Sequence, residues 1–282
     1  MTTSPLIMRT AEDMRRLVGK WQANGETVAF VPTMGALHSG HMALVDFARA
    51  RARRVVVSIF VNPTQFGVNE DFGDYPRTWD ADLAGLTERA VDAVYAPATA
   101  HMYPEGFATT VSLTGPALGL ETEFRPHFFS GVATVVTKLL LGVMADVAVF
   151  GEKDYQQLQV IRQLARDLQI PCAIEGAPTI RETDGLALSS RNVYLSGPER
   201  RIAPKLHETL QETAHAIQNG RKAQDALDEA VARLSALGFV VDYVSLRNAD
   251  TLAEVSDCGR ERLRLLAAAR LGRTRLIDNI AV

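Results

Sequence analysis

The sequence predicts an α/β protein with a doubly wound, Rossmann-like, mostly parallel sheet and a smaller C-terminal α+β domain. Short β-branched runs alternate with helical patterns until about residue 180, which is typical of parallel strands joined by helical crossovers. Beyond that point two helices come first and strands follow. A chain of 282 residues is also long enough for two domains of about 100–200 residues each. We therefore expect one domain over residues 1–179 and another over residues 180–282.

The first βαβ unit is predicted between residues 28 and 61. Residues 28–31 form a β-branched run that ends at Pro32, as expected of a buried strand. A helical pattern begins at Ser39, and a second apolar strand covers residues 55–61. Because such crossovers are right-handed, the two strands should lie parallel in one sheet.

The alternation continues along the chain. Three further helices are expected over residues 79–90, 130–141 and 156–168. Three more strands are expected over residues 93–96, 147–150 and 172–175. The C-terminal domain should contain two long polar helices, over residues 198–219 and 223–237, and then strands near residues 240–246, 262–269 and 275–280. Gly272 lies between the last two strands and suits a hairpin turn.

Composition excludes several classes of protein. A hydrophobic content of 47% rules out intrinsic disorder, and a net charge of -3 gives no global attraction to nucleic acid or to an anionic membrane surface. The two cysteines, Cys172 and Cys258, do not form a Cys-x-x-Cys pair, so we expect two small buried side chains rather than a disulfide scaffold or zinc site. No secretory signal or membrane-spanning run is visible, and the expected location is cytoplasmic.

The loop between the first strand and the first helix carries the strongest chemical signal. It reads Pro32-Thr33-Met34-Gly35-Ala36-Leu37-His38-Ser39-Gly40-His41. A helix N-terminus at the carboxyl end of a parallel strand offers free N–H groups to a phosphate. Ser39 is the expected N-cap, and the rings of His38 and His41 can converge on one bound group. The alternative is a pair of histidines that only cap the helix.

Other polar residues are expected at the same edge of the sheet. Asn62 and Gln65 follow the second strand, and Gln157 lies one turn into a later helix, so their amides suit hydroxyls or a carboxylate. Lys153 follows a strand and suits a phosphate oxygen, while Asp154 suits ribose hydroxyls. The alternatives are ordinary turn residues and a solvated lysine.

A further cationic group is expected near the domain junction. Ser189, Ser190 and Arg191 place two hydroxyls and a guanidinium there, which suits terminal phosphates. The alternative for this tripeptide is a simple capping sequence.

These segments together resemble a known family. His38-Ser39-Gly40-His41 resembles the HxGH element of nucleotidylyltransferases. With four later segments in the same order, the chain resembles the pantothenate synthetase (pantoate–β-alanine ligase) family over nearly its whole length. Those segments lie at residues 61–66, 75–82, 150–157 and 184–192.

The resemblance implies a two-step ligase. The carboxylate of (R)-pantoate would attack the α-phosphate of ATP, giving pantoyl adenylate and pyrophosphate, and the amine of β-alanine would then displace AMP. The resemblance also implies a homodimer and Mg²⁺ accompanying ATP, with Asp82 as a candidate for organising the ion.

The resemblance assigns roles to individual residues. His41 would be the proton donor, with His38 and Lys153 beside it at the phosphates. Gln65, Gln157 and Met34 would hold pantoate, and Gln65 would also lie near β-alanine. The implied ATP-binding residues are Met34, Gly35, Ala36, Leu37, His38, Ser39, Gly40, His41, Gly151, Glu152, Lys153, Asp154, Ile180, Leu188, Ser189, Ser190 and Arg191.

The sequence departs from the family pattern in one loop. Thr122 stands where the family has the glycine of Leu-Glu-Gly, and Phe128 stands at the histidine of Arg-Pro-x-His-Phe. Either His127, one place earlier, substitutes for that histidine, or its task is not needed. Ala81 also stands where some relatives have an acidic residue, which argues against a direct bond between this segment and the metal.

Two other functions remain open on sequence grounds. One is an HxGH adenylyltransferase that acts on a different carboxylate. The other is a nucleotide-binding regulatory protein that has lost catalysis, a reading suggested only by Ala81 and Phe128. Retention of His38, His41 and Lys153 argues against this second alternative.

Overall fold

The structure is a computed structural model that describes residues 4–65, 73, 75–255, 259 and 261–282. Cys258 and Phe66, which the sequence analysis singled out, lie outside the described residues. The strands are β1 Leu6–Met8, β2 Val28–Thr33, β3 Arg54–Ile59, β4 Ala93–Tyr95, β5 Val147–Gly151, β6 Ala173–Ala177, β7 Val240–Asn248, β8 Leu263–Leu271 and β9 Thr274–Ala281. The helices are α1 Ala11–Ala23, α2 Ser39–Arg49, α3 Trp79–Glu88, α4 Thr99–Met102, α5 Glu121–Phe124, α6 Phe128–Val143, α7 Tyr155–Asp167, α8 Gly197–Ile202, α9 Lys205–Gln218 and α10 Ala223–Ala236.

The first six strands form one parallel sheet in the order β1-β4-β3-β2-β5-β6. The chain moves outwards from β2 through β3 to β4 and then returns to add β5 and β6 on the other side. The strand order therefore reverses between β2 and β5, which is where open α/β sheets bind ligands. This confirms the predicted fold class.

Both faces of the sheet are covered by helices. Phe30 of β2 faces the core formed with α1, α6 and α7, whereas Val31 faces the core formed with α2 and α3. Both side chains are fully buried. Adjacent strand residues point to opposite faces, so a sheet covered on both sides favours the continuous apolar runs that predicted these strands.

The C-terminal domain is a three-stranded antiparallel sheet, β7-β8-β9, that packs against α9 and α10. Gly272 has φ +57 in the turn between β8 and β9, so the predicted hairpin is observed. The single helix predicted over residues 198–219 was wrong, because the chain forms α8 and α9 separately. Pro204 lies between them, and a proline lacks the N–H that a continuous helix needs.

Three other details differ from the sequence analysis. The strand β1 and the helix α1 were not predicted, and β1 is a short edge strand whose Leu6 is 50% exposed. The strand β2 continues through Pro32, since β5 pairs with β2 only at Ala29 and Phe30 and leaves its last residues beside β3 alone. Cys172 is only partly buried against the core, which corrects the expectation of full burial.

The segment that joins the two parts of the chain runs from the end of β6 to the start of α8. The predicted boundary at residues 179 and 180 falls inside it and stays a prediction. Within the residues that the structure describes, no helix is both long enough and apolar enough to cross a membrane.

Candidate active site

A cavity of about 900 Å³ lies at the carboxyl ends of the parallel strands and is also lined by residues of β8 and β9 in the C-terminal sheet. It gathers most of the residues that the sequence singled out. The predicted residues that line it are Met34, His38, Gly40, His41, Gln65, Gly151, Lys153, Asp154, Gln157, Ile180, Leu188, Ser189, Ser190 and Arg191. Five of the predicted ligand residues lie outside its lining: Gly35, Ala36, Leu37, Ser39 and Glu152.

The two histidines of the first loop form a reciprocal capping box at the start of α2. His38, not Ser39 as predicted, is the N-cap, and its Nδ1 accepts a hydrogen bond from Gly40 N at 3.1 Å. His41 Nδ1 accepts one in turn from His38 N at 3.4 Å. Because each Nδ1 is an acceptor, the ring proton of each neutral imidazole is on Nε2. The two ring centroids are 4.2 Å apart.

Both histidines line the cavity as well as capping the helix. The pair therefore does cap the helix, and its position in the cavity lining leaves contact with a bound phosphate as a prediction.

The surroundings keep both imidazoles uncharged. Burial lowers the pKa of His41 to about 3, and the nearby His38 and Lys153 act in the same direction while Asp154 opposes them. Burial and then Lys153 also lower the pKa of His38. At neutral pH the pair therefore offers two Nε2–H hydrogen-bond donors and does not carry positive charge.

Asp82 holds the backbone of the first loop in place. Its side chain is 2% exposed and accepts hydrogen bonds from Ala36 N at 3.0 Å, Leu37 N at 2.8 Å and Thr78 Oγ1 at 2.9 Å. The loop needs this support because Ala36 has φ +51, a backbone conformation that is strained for a residue with a side chain. Asp82 is thus an anchor of the loop.

The contacts of Asp82 bear on the metal-organising role predicted for it. Both carboxylate oxygens of Asp82 are already engaged, which argues against the metal-organising role predicted for it. The described residues also include no group of three or more His, Cys, Asp or Glu side chains arranged to hold a metal.

An amide group occupies the next part of the cavity. Gln65 Oε1 accepts a hydrogen bond from Asn62 Nδ2 at 3.2 Å, and Gln65 Nε2 lies 3.0 Å from Met34 Sδ. Asn62 is 1% exposed, and its Oδ1 accepts a hydrogen bond from Tyr103 OH at 2.7 Å. Asn62 therefore orients Gln65, a role that its position in the sequence did not reveal.

The second glutamine and an apolar wall complete this region. Gln157 lines the cavity, and its side chain makes no hydrogen bond within the part of the chain that the structure describes. The apolar part of the cavity lining consists of buried side chains from β5, α6 and the residue after β3. These side chains are Phe60, Phe129, Val132, Val136, Leu139 and Phe150.

Cationic and hydroxyl groups line the other end of the cavity. Lys153 Nζ lies 3.6 Å from Asp154 Oδ2 in the turn after β5. Ser189 Oγ accepts a hydrogen bond from Arg191 N at 3.2 Å and so caps the turn that contains Ser190. This end of the cavity therefore suits an anion of several charges.

Glu152 does not belong to the cavity. Its Oε2 lies 3.3 Å from Arg264 Nη2 of β8, so the carboxylate contacts the C-terminal sheet. The side chain of Glu152 thus joins the turn after β5 to β8, and the ATP contact that the family resemblance implies for this residue stays a prediction.

The loop that departs from the family pattern has a clear geometry. His127 is exposed and lies outside the cavity lining, whereas Phe128 lines the cavity. The Arg125 guanidinium lies 3.8 Å from the centroid of the Phe128 ring, and Arg125 Nη2 donates to Gln65 O at 3.2 Å. His127 therefore does not substitute for the histidine that the family pattern has at residue 128.

The sequence analysis missed the polar residues of the last strand. Arg275 of β9 donates to both oxygens of the buried Glu121 at 2.7 and 2.8 Å and so joins the C-terminal sheet to α5. Asp278 and Asn279 of the same strand are also buried. The sequence did contain a signal for these residues. Three charged or amide side chains in the final strand need hydrogen-bonding partners when they are buried, which would have indicated contacts to other parts of the chain.

Comparisons with known proteins agree on one family. The family profile described as pantoate-beta-alanine ligase matches residues 6–281. A protein of Rhodopseudomonas palustris (strain HaA2) named pantothenate synthetase is 53% identical over 283 residues, with 100% of each chain covered. A protein of Bradyrhizobium sp. (strain BTAi1 / ATCC BAA-1182) with the same name is 54% identical, again with 100% of each chain covered.

Solved structures give the same result. A crystal structure of pantothenate synthetase from Thermus thermophilus has a TM-score of 0.91 and 45% identity, covering 98% of each chain. A pantoate-beta-alanine ligase from Francisella tularensis, described as complexed with beta-gamma ATP and beta-alanine, has a TM-score of 0.83 and 33% identity, covering 99% of this chain and 98% of that one.

Proposed function

The chain belongs to the pantoate–β-alanine ligase family, and from this premise we propose that it condenses (R)-pantoate with β-alanine to pantothenate at the expense of ATP. The proposed products of ATP are AMP and pyrophosphate, formed through an enzyme-bound pantoyl adenylate. The observation that carries the proposal is one cavity that joins a paired-histidine helix N-terminus to two glutamines and an apolar wall.

The first proposed step is attack of the pantoate carboxylate on the α-phosphorus of ATP. A bond forms from the carboxylate oxygen to phosphorus, and the bond to the pyrophosphate oxygen breaks. Negative charge on the phosphoryl oxygens would be stabilised by the Nε2–H groups of His38 and His41, by the N-terminus of α2 and by Lys153. The role proposed for His41 is thus hydrogen-bond donation from a neutral ring.

In the second proposed step the amine of β-alanine attacks the acyl carbon of the adenylate. The carbon–oxygen bond to AMP breaks, the new amide nitrogen loses a proton, and AMP leaves with the electron pair. Catalysis of this kind depends mainly on holding the amine and the acyl group together. Gln65 is proposed to contact both substrates, since its amide is fixed by Asn62 within the cavity.

The shape of the cavity supports pantoate as the acid. Pantoate carries two methyl groups on a carbon next to hydroxyl-bearing carbons, so it needs an apolar surface opposite hydrogen-bonding groups. Buried Phe129, Val132 and Val136 offer the apolar surface, while Gln65 and Gln157 offer the amides. Met34, which touches Gln65, is proposed to contact pantoate as well.

The nucleotide is proposed to occupy the cationic end of the cavity. Lys153, Ser189, Ser190 and Arg191 would contact its phosphates, and Asp154 its ribose. Residues 34–41 would contribute through Met34, His38, Gly40 and His41, since the other four residues of this segment do not line the cavity. Gly151, Ile180 and Leu188 also line the cavity and are proposed to contact the nucleotide.

Mg²⁺ is proposed to arrive bound to the phosphates of ATP, because the described residues do not form a site for it. A homodimer and a cytoplasmic location are also part of the proposal, and both rest on the family resemblance. Light scattering coupled to gel filtration tests the oligomeric state directly.

The reaction is tested by omitting substrates one at a time. With ATP, Mg²⁺ and pantoate the enzyme should release pyrophosphate once per active site, and AMP should appear continuously only when β-alanine is added. Pyrophosphate release that does not require pantoate would instead indicate an adenylyltransferase for a different carboxylate. ATP binding without any pyrophosphate release, with every carboxylate tried, would indicate a regulatory protein.

A further inference from the structure

The proposed nucleotide site is built from two stretches of chain that are far apart in sequence. One is the turn after β5, a single 3-10 turn over Glu152–Asp154, and the other is the segment that leads to Ser189 and Arg191. Both stretches are bonded to β9, the last strand of the C-terminal sheet. The separation of these two walls therefore depends on a strand outside the parallel sheet.

Asn279 holds the first wall, which is the turn after β5, by hydrogen bonds. It is 3% exposed, and its Nδ2 donates to Glu152 O and to Lys153 O, both at 2.9 Å. Its Oδ1 accepts a hydrogen bond from Arg264 Nε at 2.6 Å, which fixes the orientation of the amide. Every polar atom of this side chain is thus engaged, and two successive carbonyls of the Lys153 turn are held by it.

Asp278 holds the second wall, which is the segment that leads to Ser189 and Arg191, by hydrogen bonds. It is 4% exposed, and its two oxygens accept hydrogen bonds from Arg181 at 2.7 and 2.8 Å. Arg181 Nη1 also donates to Gly185 O at 3.0 Å, and Leu188 N donates to Ile180 O at 3.0 Å, so the segment closes on itself just before Ser189. A paired arginine and carboxylate of this geometry resists displacement.

The two residues that hold the walls are rigidly connected to each other through β9. Asp278 and Asn279 are adjacent in a strand, so their side chains leave it on opposite sides. Both are paired in register with β8, Asp278 opposite Ala267 and Asn279 opposite Leu266. The strand therefore acts as a fixed spacer between the two walls.

We propose that Asp278 and Asn279 are positioning residues that set the distance between Lys153 and the Ser189–Ser190–Arg191 turn, and thereby the affinity of the site for ATP. The inference rests on the proposed nucleotide site and adds that its geometry is imposed by the C-terminal domain. Among the residues described, neither Gln65 nor Gln157 is hydrogen-bonded to Asp278 or Asn279. Gln65 is linked to β9 at a different residue, through Arg125 and Glu121 to Arg275, so pantoate affinity should not depend on Asp278 and Asn279.

The main test is Asn279→Asp. The side chain keeps its size and an acceptor for Arg264, but an oxygen replaces the Nδ2 donor and faces two carbonyl oxygens. We expect the Kd for a non-hydrolysable ATP analogue, measured by calorimetry, to rise about tenfold or more, the scale for losing hydrogen bonds to a buried group. The KM for pantoate should change less than about twofold, the scatter of independent sites.

A second variant guards against loss of folding. Arg181→Lys keeps the charge beside Asp278 but cannot form two parallel hydrogen bonds, so it should weaken ATP binding by a smaller factor than Asn279→Asp. The matched control is Thr213→Val, which removes a buried hydrogen bond in the C-terminal domain outside the cavity lining, from Thr213 Oγ1 to Thr209 O at 2.7 Å. It should lower the melting temperature without changing ATP affinity.

The outcomes separate the inference from the proposed function. Equal losses of ATP and pantoate affinity, or unchanged ATP affinity in both variants, would overturn the inference. If the wild-type chain binds the analogue but never releases pyrophosphate, the proposed reaction fails while the comparison of analogue affinities still decides the positioning role. If the wild-type chain does not bind the analogue, both fail together.

Discussion

The lack of room for a side chain at Gly40 leads to a prediction about the first loop. A methyl group built at Gly40 would lie 2.8 Å from His38 Cε1 and 3.0 Å from His38 Nδ1, closer than side chains approach each other in real proteins. The imidazole of His38 must therefore move in Gly40→Ala, and its hydrogen bond from Gly40 N must break. The variant displaces a proposed donor without deleting it.

Gly40→Ala should have two opposing effects on stability but a single, unfavourable effect on the catalytic rate. Replacing glycine by alanine in a helix favours folding by up to about 1 kcal/mol. Losing an N-cap hydrogen bond costs about 0.5–2 kcal/mol. The net change in the free energy of unfolding should thus lie between a gain of about 0.5 kcal/mol and a loss of about 2 kcal/mol. Misplacing one donor to a transition-state oxyanion costs about 100- to 1000-fold in kcat, so the rate should fall strongly.

The assay is pyrophosphate release with ATP and pantoate, read beside urea unfolding of the same preparations. The matched control is Gly19→Ala in α1, where a methyl group meets nothing within 4 Å among the residues described. That variant should gain stability and keep its rate. A rate for Gly40→Ala within about threefold of the wild type would refute the reasoning, since the histidine would then not depend on this space.

Three further variants probe the site. In His41→Gln the capping acceptor stays but the titrating ring is lost. Because burial holds the His41 pKa near 3, below its usual 6.5, the stability of the wild type relative to the variant should be constant above pH 6.5 and should fall by up to about 1.4 kcal/mol per pH unit below it. A stability difference that does not change with pH in urea unfolding would contradict this. Asp82→Asn should cost about 1–3 kcal/mol of stability and weaken ATP binding; a selective rise in the Mg²⁺ concentration needed for half-maximal rate would instead implicate Asp82 in metal handling. Asn62→Ala should raise the KM for pantoate and β-alanine while the KM for ATP stays, and the opposite pattern would remove its role in orienting Gln65.

Much of the fold followed from local patterns. The buried strands β2, β3 and β5 were predicted because a parallel sheet covered on both faces needs uninterrupted apolar runs. The edge strand β1 has only three residues and exposes Leu6, so its sequence carries no such pattern. Its position depends on pairing with β4, which is almost ninety residues away and is invisible to local reasoning.

The site was predicted to the extent that strand ends position it. Lys153, Gln65 and the two histidines each follow a parallel strand, and parallel strands deliver their carboxyl ends to one edge. Glu152 lies between Gly151 and Lys153, which line the cavity, but its side chain pairs with Arg264, and the side chain of Asp82 is bonded to the backbone of the first loop. The nucleotide and metal roles that the family resemblance implies for these two residues stay predictions. Sequence order does not encode which side of a turn a carboxylate occupies.

The sequence by itself determined the fold class, the position of the cavity and the types of group available to it. Only the tertiary structure decided that His38 and His41 cap each other and stay uncharged, because that depends on burial and on the direction of backbone N–H groups. It also decided that Asp278 and Asn279 of the last strand hold the walls of the proposed nucleotide site. Those contacts join residues about a hundred positions apart, and such pairings are selected by the free energy of the whole packed chain rather than by any local pattern.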